Sequence, residues 1–311
     1  MNEMNAEYTY EATLATAQRI NWKVEDVIGR DHRLDFSLPF LPESLAQVEP
    51  LAFLSREEKR ILNQIRGHGY LCMFGLVEEF ILPFVLDEVR PELHGESAKT
   101  RALIQFASEE AKHIDLFRRF RSAFERGFGH RCDVIGPPEA IASAVLAHPK
   151  LAVGILILHI EWFVQKHYVE SVREDGALDP LFKSLLKHHW QEEAQHTKLD
   201  TLLVEEIARG MDEQEILDAV DHYFQIGGVI DGGLKQQVAF DLDCLQRAAG
   251  RVLDAAERAE FERVQHQANR WTFIGSGMTH PNVLATVGRL SIAARRRIED
   301  VAPAFCLGAQ G

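Results

Sequence analysis

Residues 109–113 read EEAKH and residues 192–196 read EEAQH. A near-identical phrase written twice, 83 residues apart, constrains what this chain can fold into more than any other feature. In a helix, residues three and four positions apart share a face, so Glu110 with His113 can aim at one point, as can Glu193 with His196. The repeat extends upstream at the same offset. VEEFI at 77–81 lies over IEWFV at 160–164, which sets Glu78 over Glu161. Periodicity alone lets either Glu78 or Glu79 face a core. Only Glu78 has a glutamate counterpart, because Glu79 falls on Trp162.

Two helices that each give Glu-x-x-His, and two more that each give one Glu, form the inward-pointing set of di-iron and di-manganese carboxylate bundles. Four carboxylates in a helical core are intolerable without cations, and two divalent ions bring them to neutrality. Oxygen-rich ligation with some imidazole favours iron or manganese over zinc. The expected metal ligands are therefore Glu78, Glu110, His113, Glu161, Glu193 and His196, and the expected cofactor is two iron ions, with manganese as the alternative. A single ExxH is an ordinary surface pair. Solvated helix faces explain a doubled one less well, because they leave unexplained the two glutamates set in apolar runs at the same offset.

His189 stands four residues before Glu193 and on the same stripe, so HxxxExxH lies along one helix face. Its counterpart in the first half is Phe106. A packed or capping histidine is one reading. The one adopted is a third imidazole on one metal, on stripe geometry together with the resemblance below. Asp200, one turn past His196, is read as a salt-bridging neighbour of the ligands rather than a ligand. Glu109 and Glu192 each precede a ligand glutamate. They are either solvated charges or acceptors of a ligand histidine's free N–H from the opposite helix. His159, His167 and His188 fall off the stripe. Phe74, Phe80, Phe106, Trp162, Phe163 and Trp190 are read as core packing, some of them walls of a substrate cavity.

The pattern around these motifs is all-α. Residues 1–50 read as an irregular arm with one short helix, and residues 51–311 as a single helical di-metal domain. Ser55 with Glu58 has the spacing of a capping box, and the helix it opens is expected to reach Pro91, disturbed at Pro83. Further long helices are expected from Ser97 to the Gly127–Gly129 pair, over 150–174, and from Asp179-Pro180 to Gly210. Between the second and third, FGHRCDVIGPPEA reads as a loop leading into a short helix. The ligand helices thus span about 55–210. Three or four covering helices, punctuated by the glycine pairs at 227–228 and 232–233, follow over 211–300, to cover the bundle, form a dimer interface or act as a lid. No segment alternates as a strand does.

A net charge of −13 argues against nucleic acid or an anionic membrane as partner, since both need a basic patch. The four cysteines form no CxxC pair and fit reduced thiols in a cytoplasmic protein. The N-terminal stretch lacks the apolar core of a signal peptide, and the longest apolar run, 151–160, is too short to span a bilayer. No nucleotide-binding glycine motif or iron–sulfur cysteine set is visible, so electrons are expected from a separate reductase.

Single Glu, ExxH, single Glu and HxxxExxH, in that order, resemble the di-iron arylamine N-oxygenases of the p-aminobenzoate N-oxygenase type. The resemblance covers about residues 60–210, and its most telling element is His189. It implies a ferritin-like four-helix bundle with an internally duplicated helix pair and extra N- and C-terminal helices. It also implies metal ligands at Glu78, Glu110, His113, Glu161, His189, Glu193 and His196. The implied activity is that of an oxygenase using dioxygen on a small organic substrate, with an amine nitrogen as the point of attack. Where that family often has Asp before each ExxH, this chain has Glu109 and Glu192. Fatty-acyl desaturases and metal-dependent hydrolases of similar architecture are the nearest alternatives. Iron storage is disfavoured, because storage bundles need little beyond four helices.

Overall fold

The computed structural model describes residues 8–29, 31–94 and 97–308, and every regular element among them is helical. The arm holds three short helices, α1 (Tyr10–Ala17), α2 (Val24–Val27) and α3 (Glu43–Ala46), where one was expected. These helices are too short to show a period, yet their Leu14, Val24, Val27 and Leu45 are buried, as are Trp22, Phe40 and Leu41 between them.

The helix α4 (Arg56–Val89) opens on the expected capping box. The Ser55 hydroxyl accepts from the Glu58 amide at 3.2 Å, and the Ser55 amide donates to Glu58 at 2.7 Å. The helix runs through Pro83. Next, α5 (Ala98–Phe128) is capped by Ser97 and closed by Gly129, whose φ of 79° only glycine adopts at little cost. A short α6 (Pro138–Leu146) precedes α7 (Lys150–His167), in which every residue from Leu151 to Glu161 is buried. The chain continues as a π turn over Tyr168–Val172. α8 (Pro180–Ile207) begins at an Asp179 cap that accepts from the Phe182 amide at 2.6 Å and, from the arm, the Asp35 amide at 2.9 Å.

The covering part departs from expectation. One long helix, α9 (Glu213–Ala249), runs unbroken through both glycine pairs. Glycine in a helix costs about 1 kcal/mol relative to alanine, which weakens a helix without ending it when packing supports it. At Gly233 the absent side chain has a use: a Cβ there would stand 3.1 Å from the Ile135 side chain, which packs into the notch. Then come α10 (Ala255–Arg270), a π turn over Trp271–Gly275, α11 (Ser276–Met278), α12 (Pro281–Leu290) and α13 (Ile292–Val301).

α4 packs along α5, α7 along α8, and α5 meets α8, which makes a four-helix bundle. α1 lies on α5 and α8. On the other side α9 lies on α4 and α7, with α10 and α13 behind it and α11 and α12 against α7. The helical run Arg56–Glu92 is long and apolar enough to cross a membrane, but 67% of its apolar window is buried in the bundle, as in a core helix.

Candidate metal centre

α5 and α8 run antiparallel, and the side-chain pairing across them proves it. His113 pairs with Glu192 and His196 pairs with Glu109, each through Nε2 at 2.9 Å. The crossing of these two pairs puts the EExxH phrases face to face. The other imidazole nitrogens then point into the bundle axis, where the glutamates of all four helices converge.

The inward groups form two overlapping sets. In one, Glu78, His113, His189 and Glu193 bring ligand-type atoms within 4.8 Å of one another. In the other, Glu110, His113, Glu193 and His196 do so. His189 Nε2 stands 2.6 Å from Glu193 Oε1 and 3.3 Å from Glu78 Oε1. His113 Nδ1 stands 3.1 Å from Glu193 Oε1, 3.7 Å from Glu110 Oε2 and 3.8 Å from Glu78 Oε1. His196 Nδ1 stands 2.7 Å from Glu193 Oε2 and 2.8 Å from Glu110 Oε1. His113 and Glu193 therefore belong to both sets, Glu193 turning one oxygen to each, while Glu110 turns Oε1 to His196 and Oε2 toward His113. Glu161 lies against Glu193.

The cluster is shut off from water. Glu110, His113 and His196 are fully buried, and Glu78, Glu161, His189 and Glu193 are at most 3% exposed. Burial of this kind normally demands partners, yet Glu78 Oε2 and Glu161 Oε2 have none, and the Glu110 oxygens and Glu193 Oε1 have only imidazole nitrogens nearby, without a well-aligned hydrogen bond. Orphaned carboxylate oxygens converging on a dry point are what a cation would satisfy, so the residues fit two metal ions.

Electrostatics agree. Burial pushes the His113 and His196 imidazoles down, but Glu193 and the other facing carboxylates outweigh it and hold both well above the usual histidine range. Burial raises the Glu161 carboxyl well above its ordinary value, and the Glu193 charge adds to that. Glu193 is held well below, because the His189 and His196 imidazoles outweigh its own burial. Without metal, the cluster must share protons to bear its own charge.

Around it, both open questions about Glu109 and Glu192 resolve to the same geometry, since each accepts from a histidine of the opposite helix. Gln105 donates to Glu109 at 2.8 Å, while Lys112 forms an ion pair with Glu192. Asp200 is buried near His196 with one unpartnered oxygen. Burial pushes its carboxyl well up; His196 opposes this, and Glu110 and Glu193 add to it. His159 and His167 bond elsewhere, to Tyr223 at 2.6 Å and Tyr70 at 3.0 Å, and His188 bonds back to the Ser184 carbonyl at 2.7 Å. Trp22 was not singled out by any sequence signal. Its ring stacks 6.1 Å from that of His113, with the Lys112 ammonium 4.0 Å over it. It comes from the aperiodic arm, where only the tertiary fold assigns neighbours.

An apolar cavity of about 350 Å³ lies between α4, α6, α7 and α9. Val77 and Phe80 of α4 and Ile160 and Phe163 of α7, the helices that carry Glu78 and Glu161, are part of its lining. Phe163 also meets Phe74 at 5.9 Å, and Phe74 sits edge-on to His189 at 5.2 Å. His148 and Gln236 are the polar side chains of the lining. Phe106, by contrast, packs on His196 at 4.0 Å, and Trp190 stacks on Tyr168 at 4.4 Å.

No protein-family model matches the chain, and no curated protein does either. Among solved structures it is similar to R2-like ligand-binding oxidases. One point mutant with an anaerobically reconstituted Mn/Fe cofactor has a TM-score of 0.43 and 15% identity, over 88% of this chain and 94% of that one. A second mutant, also reconstituted anaerobically, gives 0.42 and 14%, over 87% and 94%. A third, aerobically reconstituted, gives 0.42 and 14% over the same shares. Similarity at that level leaves the chemistry to be argued from the cluster itself.

Proposed function

We propose that this protein is a di-metal enzyme that uses dioxygen to oxidise a small, largely apolar organic substrate. The observation that carries the reading is the buried cluster of four glutamates and three histidines whose ligand-type atoms converge inside the bundle. Glu78, His113 and His189 would hold one ion and Glu161 with His196 the other, with Glu110 and Glu193 shared. Iron is the metal the donor set favours, with manganese as the alternative. When bound, the ion pair supplies reducing equivalents to dioxygen and the oxidising power for the substrate.

The chain's own residues do the rest. Glu109 and Glu192 hold the Nε2–H of His196 and His113, which fixes the tautomer and turns Nδ1 inward. Phe74, Phe106 and Phe117 wall the imidazoles against water, Phe117 meeting His189 at 5.0 Å. The cavity binds the substrate's apolar body, and its α4 and α7 lining orients that body toward Glu78 and Glu161. Its polar pair, His148 and Gln236, selects a substrate with one polar end. Oxygen insertion at an amine nitrogen is the finer form of this reading, supported by the likeness of the ligand motifs to the arylamine N-oxygenases.

Metal-free protein given two equivalents of ferrous iron anaerobically, then mixed with oxygenated buffer, tests the reading. Two irons bound per chain and a transient visible absorption are expected. Two ions bound without any reaction with oxygen would overturn it in favour of hydrolysis by a metal-bound water. Turnover with a panel of arylamines that yields no oxidised nitrogen product would sink the amine-specific form alone.

A further inference from the structure

The segment 129–137 is laid lengthwise along one face of α9. Arg247 donates to the Arg131 carbonyl at 2.8 Å. The Gln237 side chain holds the segment twice, accepting from the Ile135 amide at 3.1 Å and donating to the Asp133 carbonyl at 3.2 Å. Between these clamps, Cys132 Sγ stands 2.8 Å from Cys244 Sγ. Two thiols held this close are nearer to the covalent S–S distance, about 2.05 Å, than to an ordinary non-bonded sulfur contact. Cys244 is fully buried and Cys132 is half-buried, so a small oxidant reaches the pair from the Cys132 side.

We propose that Cys132 and Cys244 are a redox pair whose disulfide staples the cavity wall to α9. The segment ends at Ile135 and Gly136, which line the apolar cavity, and α9 contributes Ile226, Ile230 and Gly233 to the same lining. The bond joins those two walls through the chain and so stiffens the cavity. This inference does not depend on what the metal centre does. Hydrogen peroxide is a sufficient oxidant: the Cys132 sulfur takes one oxygen atom as the O–O bond breaks and water leaves, and the Cys244 sulfur then displaces a second water. Two thiols lose two electrons and two protons, and one peroxide becomes two waters.

The surroundings set the rate. The hydrogen bond to Cys244, followed by burial, pushes the Cys132 thiol well up, so Cys132 holds little thiolate at neutral pH and its attack on peroxide is slow. The reaction accelerates as pH rises.

The test treats the full chain with hydrogen peroxide at pH 8, with a dithiothreitol-reduced control. Both are alkylated under denaturing conditions, digested and mapped by mass spectrometry. The expected result is a fall from four alkylated cysteines to two and one cross-linked peptide pair joining Cys132 to Cys244. Four alkylated cysteines, or a cross-link that uses Cys72 or Cys306, would overturn the pairing. Amide hydrogen exchange supplies the second reading. Residues 131–136 should exchange more slowly after oxidation in the wild-type chain and show no change in Cys132→Ser, a half-buried position that tolerates the swap. Unchanged exchange in a cross-linked chain would remove the stapling role.

Discussion

The two halves of the metal centre are written as a repeat and built as unequal partners. In the first half, α4 and α5 give Glu78, Glu110 and His113; in the second, α7 and α8 give Glu161, Glu193 and His196. Two of the places where the 83-residue match breaks bear on the site. His189 replaces Phe106, so one set gains a second imidazole while the other is capped by a phenyl ring 4.0 Å from His196. Lys112 replaces Gln195, the only differing letter in EEAKH and EEAQH, and that lysine pairs with Glu192 while its counterpart faces no such carboxylate. The duplication supplies the charge needed to hold two ions. With His113 on the His189 side, the departures would give one ion two imidazoles and leave the other, the more oxygen-rich, with one, and buried Asp200 lies near His196.

The largest effect should come from the groups the halves share. Glu193→Ala removes the carboxylate common to both sets and Glu110→Ala the one that lies between His113 and His196, so either should drop metal content from two ions per chain to below one and abolish the oxygen reaction. Elemental analysis after dialysis measures it. If either variant kept two tightly bound ions, the bridging geometry would be wrong.

Erasing the asymmetry comes next. His189→Phe should leave the oxygen-rich ion in place and weaken the other. A titration with ferrous iron should then resolve one tight and one loose equivalent, where wild type shows two tight ones. Equal loss of both would mean that His189 holds the site's shape and not a particular ion.

Smaller still are the carboxylates behind the histidines. Glu192→Gln and Glu109→Gln should each cost about 10–100-fold in metal affinity, the usual effect of removing such an orienting partner. Glu192→Gln should be the worse of the two, because it also strands the Lys112 ammonium. The smallest change is Lys112→Gln, which makes the two phrases identical. It should cost less than Glu192→Gln and leave the stoichiometry at two, and a loss as large as that of Glu110→Ala would mean the lysine is structural.

Much of this was legible in the sequence because both periods involved are short. Ligands three, four and seven apart reveal a helix face, and one fixed offset aligned the glutamates of separate helices. Caps at Ser55, Ser97 and Asp179 located helix starts to within a residue. The glycine pairs misled for a definite reason. Local propensity disfavours them in a helix, whereas the packing of Ile135 into the notch at Gly233 is a contact across almost a hundred residues. Glu109 and Glu192 stayed ambiguous because a glutamate beside a ligand looks the same whether it faces water or the opposite imidazole.

By itself, the amino-acid order determined the all-α class, the four ligand helices and the inward set of carboxylates and imidazoles. Each of these follows from hydrogen bonding and side-chain direction within one helix. Only the tertiary structure decided which oxygen faces which nitrogen, that Trp22 covers His113, that an apolar cavity lies between α4, α6, α7 and α9, and that Cys132 meets Cys244. Those depend on how far apart separate helices sit and how they are rotated. Both are set by the summed packing of the whole core, and no local pattern encodes them.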